Sequence, residues 1–282
     1  MLKYLLAILL ALPLTAFAQR TIYLYPELPV RAPDTTHGYG GLTLIERTHA
    51  PFLRVYTPPE GQPVRGALLI LPGGGYSVIA IHYEGDDVAK WLASEGYLTM
   101  VLAYRLPKES PYESTSLPLP QLDVLQALKV SRKILAEYKS PVDKLVLVGF
   151  SAGGHLAATA TVLADSLRRP DAAVLMYPVI SLVAPHVHEG SRSALLGKDS
   201  ARYADFSPEL LATAAHPPTL FVHAMDDEVV LPANSIRYAE RLRELGVPVA
   251  LYLPERGRHG FALRRDLGWR GVLLSWLDRQ GW

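Results

Sequence analysis

Cysteine is absent from the chain. That excludes a thiol nucleophile, disulfide staples, cysteine-ligated zinc and a lipid-modified N-terminal cysteine. A surplus of one charge is missing too: 28 Lys and Arg stand against 27 Asp and Glu, with no basic stripe or like-charge block. Nucleic acid and anionic membrane surfaces are therefore not expected as partners. No Gly-x-x-x-x-Gly-Lys occurs, nor a Gly-x-Gly-x-x-Gly in register with a following helix, so no nucleotide or other cofactor is expected. His-Glu-x-x-His is also missing. His186-x-His188 with Glu189 is the nearest thing to a metal site, and such a loop pair is more often simply solvated, so no metal is expected.

What is present begins with a leader. Lys3 supplies one positive charge, residues 4–17 are almost wholly apolar, and Ala16-Phe17-Ala18 precedes Gln19 as an Ala-x-Ala cleavage site. Residues 1–18 read as a secretory signal peptide, and their apolar run is short for a membrane span. The competing reading is an uncleaved N-terminal anchor. The expected product is an exported protein, periplasmic or extracellular, with no membrane span in its mature form. Without Lys3 the remaining chain is formally neutral, and residues 19–282 suit one large α/β domain with a substantial core.

Along that chain, residues 21–37 are rich in Pro and Tyr and read as an extended arm. Residues 42–46 and 52–56 read as two early strands, antiparallel to each other. From there the pattern alternates. Strands are expected over 67–71, 97–103, 144–148, 172–176, 219–223 and 247–253. Helices are expected over 86–94, 119–137, just after 153, and over 233–245 and 269–278. Short apolar strands alternating with amphipathic helices imply βαβ crossovers and a mostly parallel sheet buried on both faces. Residues 179–207 lack periodicity and read as a cap or specificity insertion.

The most informative stretch is Gly149-Phe150-Ser151-Ala152-Gly153. An apolar β-branched run precedes it and a small-residue helical run, Gly154-His155-Leu156-Ala157-Ala158, follows. Strand, sharp turn and helix with a serine at the apex is a nucleophile elbow. A serine hydroxyl needs a base to take its proton and an acid to orient that base. Of nine histidines, His259 lies in the glycine-flanked loop Arg256-Gly257-Arg258-His259-Gly260-Phe261, after the last strand and before the last helix. His155 sits one turn into the elbow helix and reads as structural. His223 ends a strand and reads as support for an acid loop, while His82 and His216 read as ordinary loop or core residues. The acid lies among Asp226, Asp227 and Glu228, on a turn after a strand. Pro72-Gly73-Gly74-Gly75-Tyr76 supplies a glycine-rich loop whose backbone can approach a carbonyl closely. Its Gly74 and Gly75 N–H groups, with that of Ala152 after the nucleophile, are the candidate oxyanion donors.

These pieces, in the order Ser, Asp, His, resemble an α/β-hydrolase. The finer resemblance is to the bacterial bifunctional feruloyl and acetyl-xylan esterases. It is carried by Pro72-Gly73-Gly74-Gly75-Tyr76, Glu84-Gly85 before Val88-Ala89-Lys90-Trp91-Leu92, and Tyr104-Arg105-Leu106. It continues through the elbow, Gly190-Ser191-Arg192 with Leu195-Leu196-Gly197, Pro217-Pro218-Thr219, Asn234-Ser235, Gly246-Val247-Pro248-Val249 and Gly257-Arg258-His259-Gly260-Phe261. The resemblance implies an α/β-hydrolase fold with helices on both faces of the sheet. It also implies Asp227 as the acid, two residues before Val229-Val230, and His259 as the base. Two positions depart from the pattern: Tyr83 stands where relatives often carry His, and Leu231 where the acid turn commonly has Pro. The implied activity is a secreted serine esterase that deacetylates xylan or xylo-oligosaccharides. Alternatives are a feruloyl or general short-chain carboxylesterase, a peptidase similar to prolyl oligopeptidase, and a non-catalytic carbohydrate-binding protein on the same fold.

Overall fold

This computed structural model describes residues 19–109, 117–138, 140, 142–166, 168–265 and 267–282. The expected leader lies outside the described residues. One eight-stranded sheet dominates. In spatial order it contains β1 (Gln19–Tyr23), β4 (Phe52–Tyr56), β6 (Leu98–Ala103), β5 (Ala67–Leu71), β7 (Leu145–Phe150), β8 (Ala172–Met176), β9 (Thr219–Val222) and β10 (Val249–Tyr252). Neighbours from β6 to β10 run parallel, and β4 runs antiparallel to both β1 and β6. β2 (Asp34–His37) and β3 (Thr43–Arg47) form a separate antiparallel ribbon.

Two early expectations are corrected. Strands 42–46 and 52–56 do not pair with each other. β4 is apolar enough to enter the main sheet, whereas β3 ends in the exposed pair Glu46 and Arg47 and stays in the ribbon. Nor is 21–37 merely an arm, because Gln19–Tyr23 completes the sheet edge against β4.

Every residue of β5, β6, β7 and β8 is buried. Such strands have no solvent face, so helices must cover both sides. α1 (Asp87–Ser94) follows β5, and α2 (Leu119–Glu137) follows β6. Their crossovers move in opposite directions along the sheet, so right-handed connections place them on opposite faces. α7 (Trp269–Arg279) shares the α1 face, where the Trp91 and Trp269 rings meet edge-on at 5.3 Å. α3 (Ala152–Leu163) packs beside α2 and is buried from Ala152 through Thr161. Residues 179–207, expected as an irregular cap, contain α4 (Glu189–Leu196) and two 3-10 turns, and α5 (Pro208–Leu211) follows. The segment is pinned to the core, since Asn234 Oδ1 accepts from the Ile180 and Ser181 N–H groups at 3.0 Å each. Asn234 belongs to α6 (Ala233–Glu244).

Chain order turns at β5, with β6 on one side and β7 on the other. Crevices at such switch points, outside the carboxyl ends of the strands, are where open α/β sheets bind ligands.

Three histidines among the described residues are buried, His155, His216 and His223, and for the first two burial sets the ring's charge. His155 Nε2 donates to the Phe206 carbonyl at 2.7 Å, and His216 Nδ1 donates to the Pro217 carbonyl at 2.9 Å. Burial pushes both rings down to about 4, with the hydrogen bonds only partly opposing it. An unfolded histidine titrates near about 6.5. The unfolded chain therefore binds these protons first as pH falls. The stability they contribute is intact above about 6.5 and is lost toward 4. Each ring adds a slope of about 1.4 kcal/mol per pH unit within that window. Urea unfolding from pH 6.5 to 4.5 should show this loss, and His216→Asn should remove one proton's share of the slope. An unchanged slope in that variant would mean the ring is already charged in the native state.

Candidate active site

The elbow is built as its spacing demands. Ser151 follows β7 with φ 52° and ψ −118°, a left-handed conformation that throws its side chain off the strand end. Backbone bonds hold it there: its N–H donates to the Met176 carbonyl at 3.0 Å, and its carbonyl accepts from His155 and Val179 at 3.1 Å each. Gly153 is required by close approach, since a Cβ there would lie 2.1 Å from the Leu71 carbonyl oxygen.

Ser151 Oγ lies 2.9 Å from His259 Nε2, and His259 Nδ1 lies 2.7 Å from Asp227 Oδ2. Nδ1 facing a carboxylate carries the proton, which leaves Nε2 free to accept from the serine hydroxyl. The serine is 7% exposed and Asp227 2%, so the pairing is shielded from water. Burial alone would raise the Asp227 carboxyl. Hydrogen bonds from His223 and His259 outweigh that and hold it well below the usual carboxylate range. Asp227 Oδ1 also accepts from the Val229 and Val230 N–H groups at 3.0 Å each.

The three acidic neighbours have separate placements. Asp226 Oδ1 accepts from the N–H groups of Gly257 and Arg258 at 2.7 Å each, so it anchors the histidine loop. Glu228 is exposed. His223 supports the acid, as its position at a strand end suggests. Its Nε2 lies 2.9 Å from the Val230 carbonyl and 3.2 Å from Asp227 Oδ2, while Nδ1 meets Ser235 Oγ at 2.8 Å.

The glycine loop comes up beside Ser151. A Cβ on Gly73 would meet the Ser151 Cβ at 2.8 Å. Gly74 and Gly75 have φ of 127° and 64°, conformations that favour glycine. The Gly73 N–H is already committed to Glu84 Oε2 at 2.8 Å. Those of Gly74, Gly75 and Ala152 have no acceptor among the described residues. Two tyrosines fix the loop from below: Tyr104 donates to the Pro72 carbonyl at 2.9 Å, and Tyr76 donates to His155 Nδ1 at 2.7 Å. His155 is thereby structural, as its place in the elbow helix suggests.

Glu84 and Tyr177 are site residues to which the sequence reading gave no role, Glu84 entering it only within the Glu84-Gly85 block of the resemblance. Glu84 is 2% exposed and its Oε1 accepts from the Tyr177 hydroxyl at 2.8 Å. Burial pushes this carboxyl up, against the bonds from Tyr177 and Gly73 and the nearby His259. The Tyr177 ring lies edge-on to His259 with 4.9 Å between centroids. The available signal was Glu84-Gly85 following the glycine loop, a carboxylate beside a small residue where charge has no solvated helix face to occupy.

Both departures from the family pattern fall beside the site. Tyr83 Oη would lie 3.8 Å from a Cβ on Gly260, and the Arg264 guanidinium stacks on the Tyr83 ring at 4.0 Å. Leu231 stands 46% exposed on the acid turn. His188 caps α4, its Nδ1 accepting from the Ser191 N–H at 3.2 Å. Burial first, then the nearby His259 charge, holds His188 below the ordinary histidine range. Among the described residues no group of three or more His, Asp or Glu is placed to hold a metal. No helix among them is long and apolar enough to cross a membrane.

Comparison with known proteins matches residues 68–263 to the family described as the α/β-hydrolase fold. An acetylxylan esterase of Xylanibacter ruminicola is 32% identical over 227 residues, 77% of this chain and 44% of that protein. Endo-1,4-β-xylanase B of Butyrivibrio fibrisolvens is 32% identical over 226 residues, 73% of this chain and 34% of that protein. The chain thus spans less than half the length of these two curated relatives. The crystal structure of an acetyl ester-xyloside bifunctional hydrolase from Caldicellulosiruptor lactoaceticus superposes with a TM-score of 0.76 at 31% identity, covering 93% of this chain and 96% of that one.

Proposed function

The chain belongs to the α/β-hydrolase family, and from that premise we propose that it is an exported serine esterase removing acetyl groups from xylan or xylo-oligosaccharides. The observation that carries the reading is the Ser151–His259–Asp227 relay, at 2.9 and 2.7 Å, beside the uncommitted amides of Gly74, Gly75 and Ala152. The similarity to an acetylxylan esterase and an acetyl ester-xyloside hydrolase supports the acetyl-sugar side of it.

In this reading Ser151 Oγ attacks the ester carbonyl while its proton passes to His259 Nε2. The carbonyl oxygen becomes an oxyanion held by the free N–H groups, donors that cost no reorganisation during the reaction. Collapse breaks the bond to the sugar oxygen, which leaves with the proton from His259. Water then gives a proton to His259 and its oxygen to the acyl carbon, and acetate departs as Ser151 recovers its hydrogen. Asp227 fixes the imidazole tautomer and stabilises the imidazolium formed on the way.

The test is hydrolysis of acetylated xylan, methyl ferulate and nitrophenyl esters by the protein. Acetate release from xylan is expected to exceed ferulate release. The base must be neutral to accept a proton, so kcat/KM should fall on the acid side of its profile. Because backbone N–H groups meet the oxyanion, EDTA should leave that profile unchanged. Activity lost to EDTA and restored by a divalent cation would replace this mechanism with a metal-dependent one. A fluorophosphonate that fails to label Ser151 would favour a binding protein instead.

A further inference from the structure

A buried carboxylate beside a site that must stabilise negative charge needs a reason. Glu84 sits in a π-helical turn, Ile81–Asp86, and is not part of the serine relay. Its two oxygens each receive one donor, the Gly73 N–H at 2.8 Å on one side and the Tyr177 hydroxyl at 2.8 Å on the other. Tyr177 reaches the histidine loop through its ring, which packs edge-on against both His259 and Phe261, and Phe261 directly precedes Ala262. Ala262 lies three residues beyond His259, and Gly73 lies one residue before the first candidate oxyanion donor. Tyr177 itself is held at φ 37°, a strained conformation for a tyrosine, with its N–H bound to the Val222 carbonyl at 2.7 Å. Strain of that kind persists only where the surroundings over-determine it. Its ring packs 4.7 Å from Phe261 and 4.9 Å from His259.

We infer that Glu84 and Tyr177 are positioning residues that clamp the oxyanion loop to the histidine loop. An apolar pair of the same size would fill the space, but a carboxylate can answer the Gly73 N–H and the Tyr177 hydroxyl at once, while the tyrosine ring meets His259 and Phe261. The clamp sets the separation between the groups that receive the oxyanion and the group that moves the proton. Misplacement on the scale of an ångström is enough to slow a positioned reaction by orders of magnitude. The catalytic side of this inference rests on the esterase reading above, whereas the mechanical side does not.

Tyr177→Phe keeps the ring against His259 and removes only the link. It should lower kcat for nitrophenyl acetate about 10- to 100-fold and leave KM within about threefold, since the interaction serves the transition state and not substrate binding. Glu84→Gln keeps one oxygen for the Gly73 N–H but turns an N–H₂ toward the Tyr177 oxygen, which must then accept instead of donate, and should give a kcat loss of the same size. The double variant should lose far less than the product of the two, because each single change already opens the same clamp. Hydrogen exchange should quicken in both 72–80 and 256–263 in Tyr177→Phe. Unaltered exchange in either loop, multiplicative losses, or a kcat within twofold of the parent would overturn the inference. If Glu84→Gln does not fold, Tyr177→Phe decides alone through exchange and the kcat–KM split. A parent protein that hydrolyses no ester, with exchange still quickened in both loops, would remove the esterase reading and leave the clamp standing.

Discussion

Ser151→Ala is expected to lower kcat for ester hydrolysis by at least ~10³-fold while leaving the protein folded. The effect is large because in the proposed mechanism the hydroxyl is the atom that bonds to the acyl carbon. His259 would still have its proton acceptor free, but with nothing covalent to activate. The fold should tolerate the change, since the bonds that hold the elbow come from the backbone of residue 151: the N–H to Met176 and the carbonyl to His155 and Val179. Alanine has the same Cβ in the same left-handed conformation, so no new clash arises. Steady-state kinetics on nitrophenyl acetate, with circular dichroism to verify folding, measure both halves. Substantial turnover by the folded variant would sink the covalent mechanism.

The acid assignment makes a second prediction of comparable size. Asp227→Asn should cost on the order of 10⁴-fold in kcat. Asp227 receives donors at both oxygens: His259 Nδ1 and His223 Nε2 at Oδ2, and the Val229 and Val230 amides at Oδ1. An amide has one acceptor oxygen, so its N–H₂ must turn toward one of these sets. Turned toward His259, it puts the proton on Nε2 and blocks acceptance from Ser151. Turned toward the two valine amides, it places donors against donors. Asp226→Asn should cost less than about tenfold, because the oxygen that accepts from Gly257 and Arg258 is retained. A parallel pH–rate study of both variants separates the cases, and the reverse ranking would move the acid to Asp226.

The elbow was legible because local signals agree there. The residues of β7 are apolar without exception until Gly149, the apex serine is followed by small residues, and each glycine marks a close approach. The acid turn was less so. Asp226, Asp227 and Glu228 are chemically near-equivalent as letters, and what separates them is burial: Asp227 turns inward to His223 and His259 while Glu228 faces solvent. Glu84 was hidden for the same reason. In Ile81-His82-Tyr83-Glu84-Gly85-Asp86-Asp87 it looks like one acid among three on a wet turn, and only the tertiary fold brings Gly73 and Tyr177 to it. The early strands misled because two short segments nearby in sequence look like a hairpin. β4 instead has a far larger apolar partner in β6, with which it pairs along five residues.

The order of strands has a further consequence. The glycine loop, Ser151, Tyr177 and the turn carrying Asp227 leave the carboxyl ends of β5, β7, β8 and β9, which are consecutive neighbours in the sheet. Adjacent strands are spaced by about 4.8 Å, a length fixed by backbone hydrogen bonding and indifferent to side-chain identity. The sheet thus acts as a ruler for the reaction: the intervals between parts are inherited from peptide geometry. If residues 179–207 are the specificity insertion the sequence suggests, changes there need not disturb those intervals, so a change of substrate need not begin with a loss of rate.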